Sequence, residues 1–334
     1  MQIIPVNERT FFLAELYLQP VEQECVFLSQ LVRKHSQNIY IIFDESRGTD
    51  FHNVSTGSYF DKKGTDLQNV LGVFYLNNSL FHCFKDISKI NDKEFTLLFS
   101  KILTKNQINI KTISGEKAGT DFMLAVLRDL FEKSDSTFTN EINVRQINEY
   151  KLMVLHHQNH QNNQNSQNES QSFPNVSHFT TDSKFSSQNL YNDDFIMRCT
   201  ENDMENLFEI EKQYLQEEVA VRGQKISDAE VSMHLRQILK NQLCFALISD
   251  DKIVSKANTN AIGKNWIQIG GVYTLFQFRQ NGYAAHTVSA LCKRILQAHK
   301  NIALFVRTKN LPAQNLYQKI GFTFHSDYKI VYLQ

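Results

Sequence analysis

The chain has no net charge, no closely spaced cysteine pair and no long apolar run. Lys plus Arg and Asp plus Glu each number 35 among the 334 residues, so nothing favours broad binding to nucleic acid or to membrane surfaces. The five cysteines include no Cys-x-x-Cys pair, which favours free thiols in a reducing compartment over a metal site. No apolar run reaches the ~18 residues of a membrane span, and the N-terminus does not resemble a signal peptide. We therefore expect a cytoplasmic protein with no metal and no membrane span.

What the chain does contain is a polar stretch near its middle. Residues 156–189 include the tract HHQNHQNNQNSQNESQS, which is nearly uncharged and has no apolar periodicity. Such a segment cannot bury enough surface to offset the entropy lost on ordering, and we interpret it as a flexible linker. Its histidines could bind a metal ion, although the composition of the tract explains them without one. The linker predicts two domains, residues 1–155 and 190–334.

Apolar periodicity predicts the same order of elements, βααβββαβαβ, in both halves. Helical or alternating spacing of apolar residues defines the elements, and turn residues at Asn77-Asn78 and Asp250-Asp251 predict one hairpin in each half. We therefore predict an α/β (α+β) protein, made of two tandem copies of one mixed β-sheet fold flanked by helices.

The most informative local pattern is RQNGYA, at residues 279–284. It follows the strand-like run IQIGGVYT and precedes a helix-like run that ends near His299. A short glycine-containing turn between a strand and a helix directs several backbone N–H groups to one point, where the helix dipole adds partial positive charge. The turn predicts an anion site that suits pyrophosphate. Gly282 would be needed there because a Cβ would crowd the phosphate or forbid the turn.

A second pattern follows in order. After the strand-like run NIALFV comes NLPAQNLYQKIGF, in which Asn310 can cap a helix, Pro312 is tolerated in its first turn and Gly321 can end it. The series VYT, RxxGxA, strand and NxxAxxLYxxxGF resembles the GNAT superfamily of N-acetyltransferases over residues 195–334.

The resemblance implies acetyl-CoA as co-substrate and direct transfer of its acetyl group to an amine. It implies that a strand segment holds the pantetheine arm and directs an N–H group at the thioester oxygen, and that Tyr317 is the general acid. The implied cofactor contacts are Val272, Tyr273, Thr274, Arg279, Gln280, Asn281, Gly282, Tyr283, Ala284, Ala285 and Asn310. Alternatives stay open for three of these residues: Arg279 could brace the loop or be a solvated surface residue, Asn310 could serve only as a cap, and Tyr317 could be an ordinary core residue.

The general base is less well defined. Many GNAT members carry a glutamate on the fourth strand, whereas the comparable run NWIQIGG has Gln268 and no acid. Glu217 and Glu218, between the first two helices of this half, could reach the acceptor, or they could be a solvated charge pair. The missing acid favours water-relayed deprotonation, or an acceptor that needs little help. In the same strand, Gly270-Gly271 predicts a bulge or the close approach of a ligand.

The first half lacks the corresponding chemistry. After Phe84 it reads KDISKINDKEF, with no glycine before the helix, and no tyrosine follows Asp121 at the position that Tyr317 holds. We interpret this half as a degenerate copy with a structural or substrate-shaping role. Residues 115–119 could form a second anion loop, although an ordinary strand-to-helix turn explains them as well.

Several readings of the whole chain remain open at this stage. The enzyme could use another acyl-CoA, the second half could be a non-catalytic acyl-CoA-binding regulatory module, or the chain could be an interaction protein with a decayed site. The expected acceptor is an amine on a small molecule or peptide, with no nucleic acid or membrane partner. Neither the identity of the acceptor nor the oligomeric state can be read from the sequence.

Overall fold

The computed structural model describes residues 1–8, 10–44, 67–132, 142–157 and 195–334. They form two compact units, one containing Met1–Lys151 together with Ser326–Gln334, and the other containing Leu152–His325. Each unit therefore includes a short segment from the opposite half of the sequence. Most of the predicted linker, residues 158–189, lies outside the described residues.

The first unit has the predicted order of elements. Its elements are β1 (Gln2–Pro5), α1 (Phe11–Leu18), α2 (Val26–Arg33), β2 (Ile39–Phe43), β3 (Val70–Leu76), β4 (Ser79–Phe84), α3 (Asp92–Asn106), β5 (Thr112–Glu116), α4 (Lys117–Glu132) and most of β6 (Val144–Leu155). Strands β1 to β4 are successive antiparallel neighbours, and β5 joins β4 in parallel. Residues 328–332 then pair antiparallel with residues 112–116, so the last strand of the sequence completes this sheet.

The second unit repeats the order, as predicted. Its elements are β7 (Phe195–Cys199), α5 (Met204–Tyr214), α6 (Asp228–Asn241), β8 (Cys244–Ser249), β9 (Lys252–Ile262), β10 (Trp266–Thr274), α7 (Tyr283–Leu296), β11 (Asn301–Arg307), α8 (Leu311–Ile320) and the start of β12 (Thr323–Leu333). Strands β7 to β10 are antiparallel neighbours, and β11 runs parallel to β10. The tandem, mixed-sheet architecture expected from the sequence is therefore confirmed.

The apolar face of α7 fixes this helix on the sheet of the second unit. Val288 and Leu291 are fully buried and Ile295 is 1% exposed, and their spacing is that of one helical stripe. Burial of each such side chain contributes roughly 1.5–3 kcal/mol. The packing places the first turn of α7 just after the end of β10, where RQNGYA lies.

No helix within the described ranges is both long enough and apolar enough to cross a membrane.

Candidate functional site

Strands β10 and β11 separate in the middle of the second unit. Their parallel pairing joins residues 266–269 to residues 301–304, and both strands then continue, to Thr274 and to Arg307. The gap between them opens at Gly270. The turn that leads into α7 follows the same end of β10.

A bulge in β10 marks the same point. The register with β9 shifts between Gly270 and Tyr273, and Gly271 has a positive φ of 57°. A Cβ on Gly270 would overlap the side chain of Asn260, and a Cβ on Gly271 would overlap that of Asn258. The predicted bulge is thus confirmed, and the two glycines let asparagine side chains from β9 pack against the backbone of β10.

The turn that follows β10 presents unpaired backbone amides. Among the described residues, no acceptor receives a hydrogen bond from the N–H groups of residues 280–285. The amides on either side are used, since that of Arg279 donates to the Phe276 carbonyl and that of His286 to the Gly282 carbonyl. Gly282, with φ 77°, directly precedes α7. Six consecutive N–H groups therefore have no partner in the described part of the chain, and they lie at the positive end of a helix, which is the arrangement that binds an anion.

Gly282 is required for its backbone conformation. A Cβ at this position would meet only the ring of His286, at 3.8 Å, so the protein itself leaves room for a side chain. A φ of 77° is disfavoured for any residue with a Cβ. Two reasons were expected for this glycine, crowding of a phosphate by a Cβ and the conformation of the turn. In the protein itself, only the conformation of the turn requires glycine.

Arg279 braces this turn. Its Nη2 donates to both carboxylate oxygens of Glu217, at 3.0 and 2.9 Å, and its Nε donates to the Thr274 carbonyl at 3.1 Å. The guanidinium also lies over the rings of Tyr273 and Phe276, at 5.3 and 5.4 Å from their centroids. These contacts are those expected of a brace, and the pairing of Arg279 with a phosphate stays a prediction.

Glu217 is held as a carboxylate by these contacts. The hydrogen bonds from Arg279 lower its pKa, and the bond from the Tyr273 hydroxyl, 2.6 Å long, adds to the effect. In turn, burial and the bond to Glu217 raise the pKa of Tyr273 to about 12. A carboxylate with a lowered pKa is a weak base. The contacts of Glu217 therefore suit it to position Arg279 and the turn after β10 better than to accept a proton.

Glu218 contacts the opposite arm of the gap. Its carbonyl accepts from Nη2 of Arg307 at 2.6 Å, and its carboxylate lies 3.5 Å from Nε of the same side chain. Both glutamates belong to Leu215–Val219, a π-helical turn that extends α5. This turn is thus tied to the residues after β10 through Arg279 and to the end of β11 through Arg307.

Tyr317 lies on α8 with its ring in the core of the unit. It is 7% exposed and packs edge-on against Phe322, at 5.9 Å between centroids. Its hydroxyl has no hydrogen-bond partner within the described part of the chain. Burial raises the pKa of Tyr317, and the nearby Cys292 and Glu218 raise it further. The phenol is therefore protonated at neutral pH and keeps its proton available.

The start of α8 is fixed by the residues that the sequence indicated. The Asn310 side chain accepts from the Ala313 amide at 3.1 Å, which confirms the cap, and Gly321, with φ 108°, ends the helix. The side-chain amide of Gln314 donates to the Arg307 and Thr308 carbonyls, at 3.2 and 2.9 Å. These bonds join α8 to the end of β11.

The structure also contains a buried polar group that the motif analysis missed. Nζ of Lys256 lies 2.8 Å from Glu211, with both side chains at most 1% exposed, and Nδ1 of His234 contacts the same carboxylate at 2.8 Å. Lys256 also donates to Asn258 at 3.2 Å, and it faces Tyr273 across the β9–β10 ladder. Burial raises the pKa of Glu211, but the ammonium of Lys256 and the hydrogen bond with His234 outweigh burial and hold this pKa below its usual value. The signal in the sequence is the polar run SKANTN inside an otherwise buried strand.

In the first unit, the corresponding helix start is already occupied. The Asp86 carboxylate accepts from the Ser88 amide at 3.2 Å, and the Asn91 side chain accepts from the Glu94 amide at 3.0 Å. The first turn of α3 also carries Asp92 and Glu94, which repel an anion. At the start of α4, the Glu116 carboxylate accepts from the amides of residues 118 and 119, at 2.9 and 3.0 Å. Residues 115–119 therefore form a closed strand-to-helix turn.

Side chains fill the gap between β4 and β5. Parallel pairing stops at Phe81, and beyond it the imidazole of His82 lies where a Cβ on Gly115 or Gly119 would be. The ring stacks on Phe84 at 4.7 Å, and Nε2 is 2.9 Å from the Thr120 hydroxyl. Burial lowers the pKa of His82 to about 3. A neutral imidazole thus occupies the space that stays open in the second unit.

Comparison with known proteins agrees with this fold. Residues 251–331 match the family model described as FR47-like protein, and no curated protein matches the chain. A solved Drosophila protein is 9% identical, covers 99% of this chain and 98% of its own, and has a TM-score of 0.59. A tandem GNAT protein from the clavulanic acid biosynthesis pathway, solved without AcCoA, is 9% identical, covers 100% and 98%, and has a TM-score of 0.56. The resemblance predicted from the sequence is confirmed: the chain has the tandem GNAT fold, with an FR47-like region in its C-terminal half.

Proposed function

We propose that the second unit is a cytoplasmic N-acyltransferase that moves an acetyl group from acetyl-CoA to an amine on a small molecule or peptide. The observation that carries the proposal is the set of six unpaired amides at residues 280–285, next to the gap between β10 and β11. A pyrophosphate suits such a site because hydrogen bonds to charged groups contribute about 1.5–3 kcal/mol each.

The gap offers a place for the remainder of acetyl-CoA. Among the described residues, the pairing of β10 with β11 ends at Ile269. The backbone of Val272, Tyr273 and Thr274 can therefore bind the pantetheine arm as an added strand. An N–H of this segment is the proposed donor to the thioester oxygen. A donor of that kind typically contributes about 2.7–4 kcal/mol to the stability of the transition state.

Tyr317 is the proposed general acid. The amine attacks the thioester carbonyl, the carbon–sulfur bond breaks, and the departing thiolate takes the phenolic proton. Because burial raises the pKa of Tyr317, the phenol is fully protonated before reaction and gives its proton only as charge develops on sulfur. The nitrogen of the new amide loses its extra proton, and this proton reaches the phenolate through water.

Glu218 is a better candidate for the base than Glu217. Both oxygens of Glu217 accept hydrogen bonds from Arg279, whereas Glu218 has a longer contact, 3.5 Å, to Arg307. A lysine-like amine with a pKa of about 10.4 costs about 4.6 kcal/mol to deprotonate at pH 7, so a base or a water relay is needed for such an acceptor. We propose that the first unit is a structural copy that does not bind acyl-CoA.

The test combines calorimetric titration with acetyl-CoA and detection of free CoA thiol in the presence of a panel of amines. We expect the full chain to bind acetyl-CoA and to release CoA with at least one amine. Gly282→Val should abolish binding because valine disfavours the positive φ, whereas Asn91→Ala, at the matching helix start of the first unit, should not change it. Binding without release of CoA would indicate a regulatory module, and the absence of any binding would refute the proposal.

A further inference from the structure

Two histidines that the proposed reaction does not use lie in direct contact on the second unit. Nε2 of His157, just after β6, is 3.2 Å from Nδ1 of His299, in the turn after α7. Their ring centroids are 4.8 Å apart. His299 is exposed and His157 is half-buried, so the pair is open to solvent on one side.

The folded backbone holds both imidazoles in place. The His157 amide donates to the Asn301 side chain at 3.0 Å, and the neighbouring His156 packs edge-on against Trp266 at 5.1 Å. His299 has a left-handed φ of 53°, and its amide donates to the Leu296 carbonyl at 2.9 Å. The two ring nitrogens therefore share a hydrogen bond, and a bound metal ion would take the place of the shared proton.

Two ring nitrogens at this separation match a shared metal ion. With nitrogen–zinc bonds of about 2.1 Å, two nitrogens 3.2 Å apart subtend an angle of about 100° at the metal, close to tetrahedral. Neutral imidazole is a preferred ligand of zinc, copper and nickel ions. We propose that His157 and His299 form a binding site for a divalent transition metal ion, with water in the remaining positions.

The site is remote from the proposed reaction. Strand β11 starts at Asn301, beside the histidine pair, and ends at Arg307, at the candidate active site. A strand of that length spans roughly 20 Å. Within the described ranges, no group of three or more His, Cys, Asp or Glu side chains is arranged to hold a metal. The expected role is to fix His157, the last described residue before the polar tract, to the end of α7.

The test is calorimetric titration of the full chain with Zn²⁺ at neutral pH, together with thermal unfolding. His299→Asn removes one ligand and keeps a residue that tolerates a left-handed φ. Loss of an outer-shell partner alone costs roughly ten-fold or more in metal affinity. Because His299 is a direct ligand, we expect His299→Asn to weaken zinc binding by at least that factor. Zinc should raise the unfolding temperature of the unaltered chain but not that of His299→Asn or His157→Gln.

A control separates this site from binding by the histidine-rich tract alone. His160→Asn changes the tract but not the proposed ligands, and it should leave the zinc affinity unchanged. Acyl transfer should be the same with and without zinc. Failure of the chain to bind zinc, equal affinity in His299→Asn, or loss of binding in His160→Asn would each overturn the proposal.

Discussion

The contact between Arg279 and Glu217 gives two models of the phosphate site that predict opposite results. If Arg279 braces the turn, removal of Glu217 loosens residues 280–285 and weakens acetyl-CoA binding. If Arg279 is instead a phosphate ligand that Glu217 restrains, Glu217→Ala frees the guanidinium and also removes a negative charge near the anion. The second model therefore predicts tighter binding.

The structure sets the size of the effect. The two side chains are 36% and 45% exposed, and exposed ion pairs contribute about 0.2–1 kcal/mol. The two bonds from Nη2 and the additional bond from Tyr273 place the energy of this pair at the upper end of that range, at about 1 kcal/mol. At about 1.4 kcal/mol for each ten-fold change, we expect Glu217→Ala to weaken acetyl-CoA binding about five-fold.

A double-mutant cycle measured by calorimetry decides between the models. Arg279→Ala and Glu217→Ala should each weaken binding, and the double variant should lose little more than the stronger single variant, because both act through one contact. Glu209→Ala removes a negative charge from the same helix without touching Arg279 and serves as the control. Tighter binding by Glu217→Ala, or additive losses in the double variant, would show that the brace does not shape the phosphate site.

Three further predictions concern single side chains. Tyr317→Phe should lower turnover by about ten-fold or more with little change in acetyl-CoA affinity, as measured by CoA release and calorimetry; unchanged turnover would exclude Tyr317 as the acid. Because burial lowers the pKa of His82 from 6.5 to about 3, the unfolded chain binds a proton that the folded chain does not, and stability falls as the pH is lowered through this window. His82→Leu should therefore flatten the loss of stability on acidification, as measured by urea unfolding. Lys256→Met leaves Glu211 buried without its ion-pair partner and should cost about 3–5 kcal/mol, whereas adding Glu211→Leu should recover much of the loss; equal stabilities of the single and double variants would contradict this reasoning.

Much of the second unit follows from local patterns in the sequence. The stripe of Val288, Leu291 and Ile295 fixed the core face of α7, and Asn310 with Gly321 fixed both ends of α8. Apolar spacing and helix caps involve residues that are close together in the chain, so they can be recognised in a single sequence. The glycine pair in β10 predicted the bulge in the same way. It did not predict that asparagine side chains from β9 would pack against these glycines.

Contacts between distant residues could not be predicted in this way. Arg307 reaches Glu218 across 89 positions of sequence, and Lys256 meets Glu211 only because β9 passes beneath α5. The choice of Arg279 as a brace also depended on where Glu217 lies in space. Tertiary packing decides which polar residues pair, and their spacing in the sequence does not. A single sequence therefore shows the polar residues but not their partners.

The inclusion of residues 326–334 in the first unit constrains how the chain can be made. Val331 is fully buried in the core of that unit, and the Lys329 side chain bonds to Asp121 on α4. During synthesis, at about 5–20 residues per second, the sheet of the first half cannot close until these late residues have left the ribosome. The first half to be translated is therefore the last to finish folding. A stop codon shortly before Ser326 should expose the edge of β5 and render residues 1–151 a substrate for chaperones and proteases.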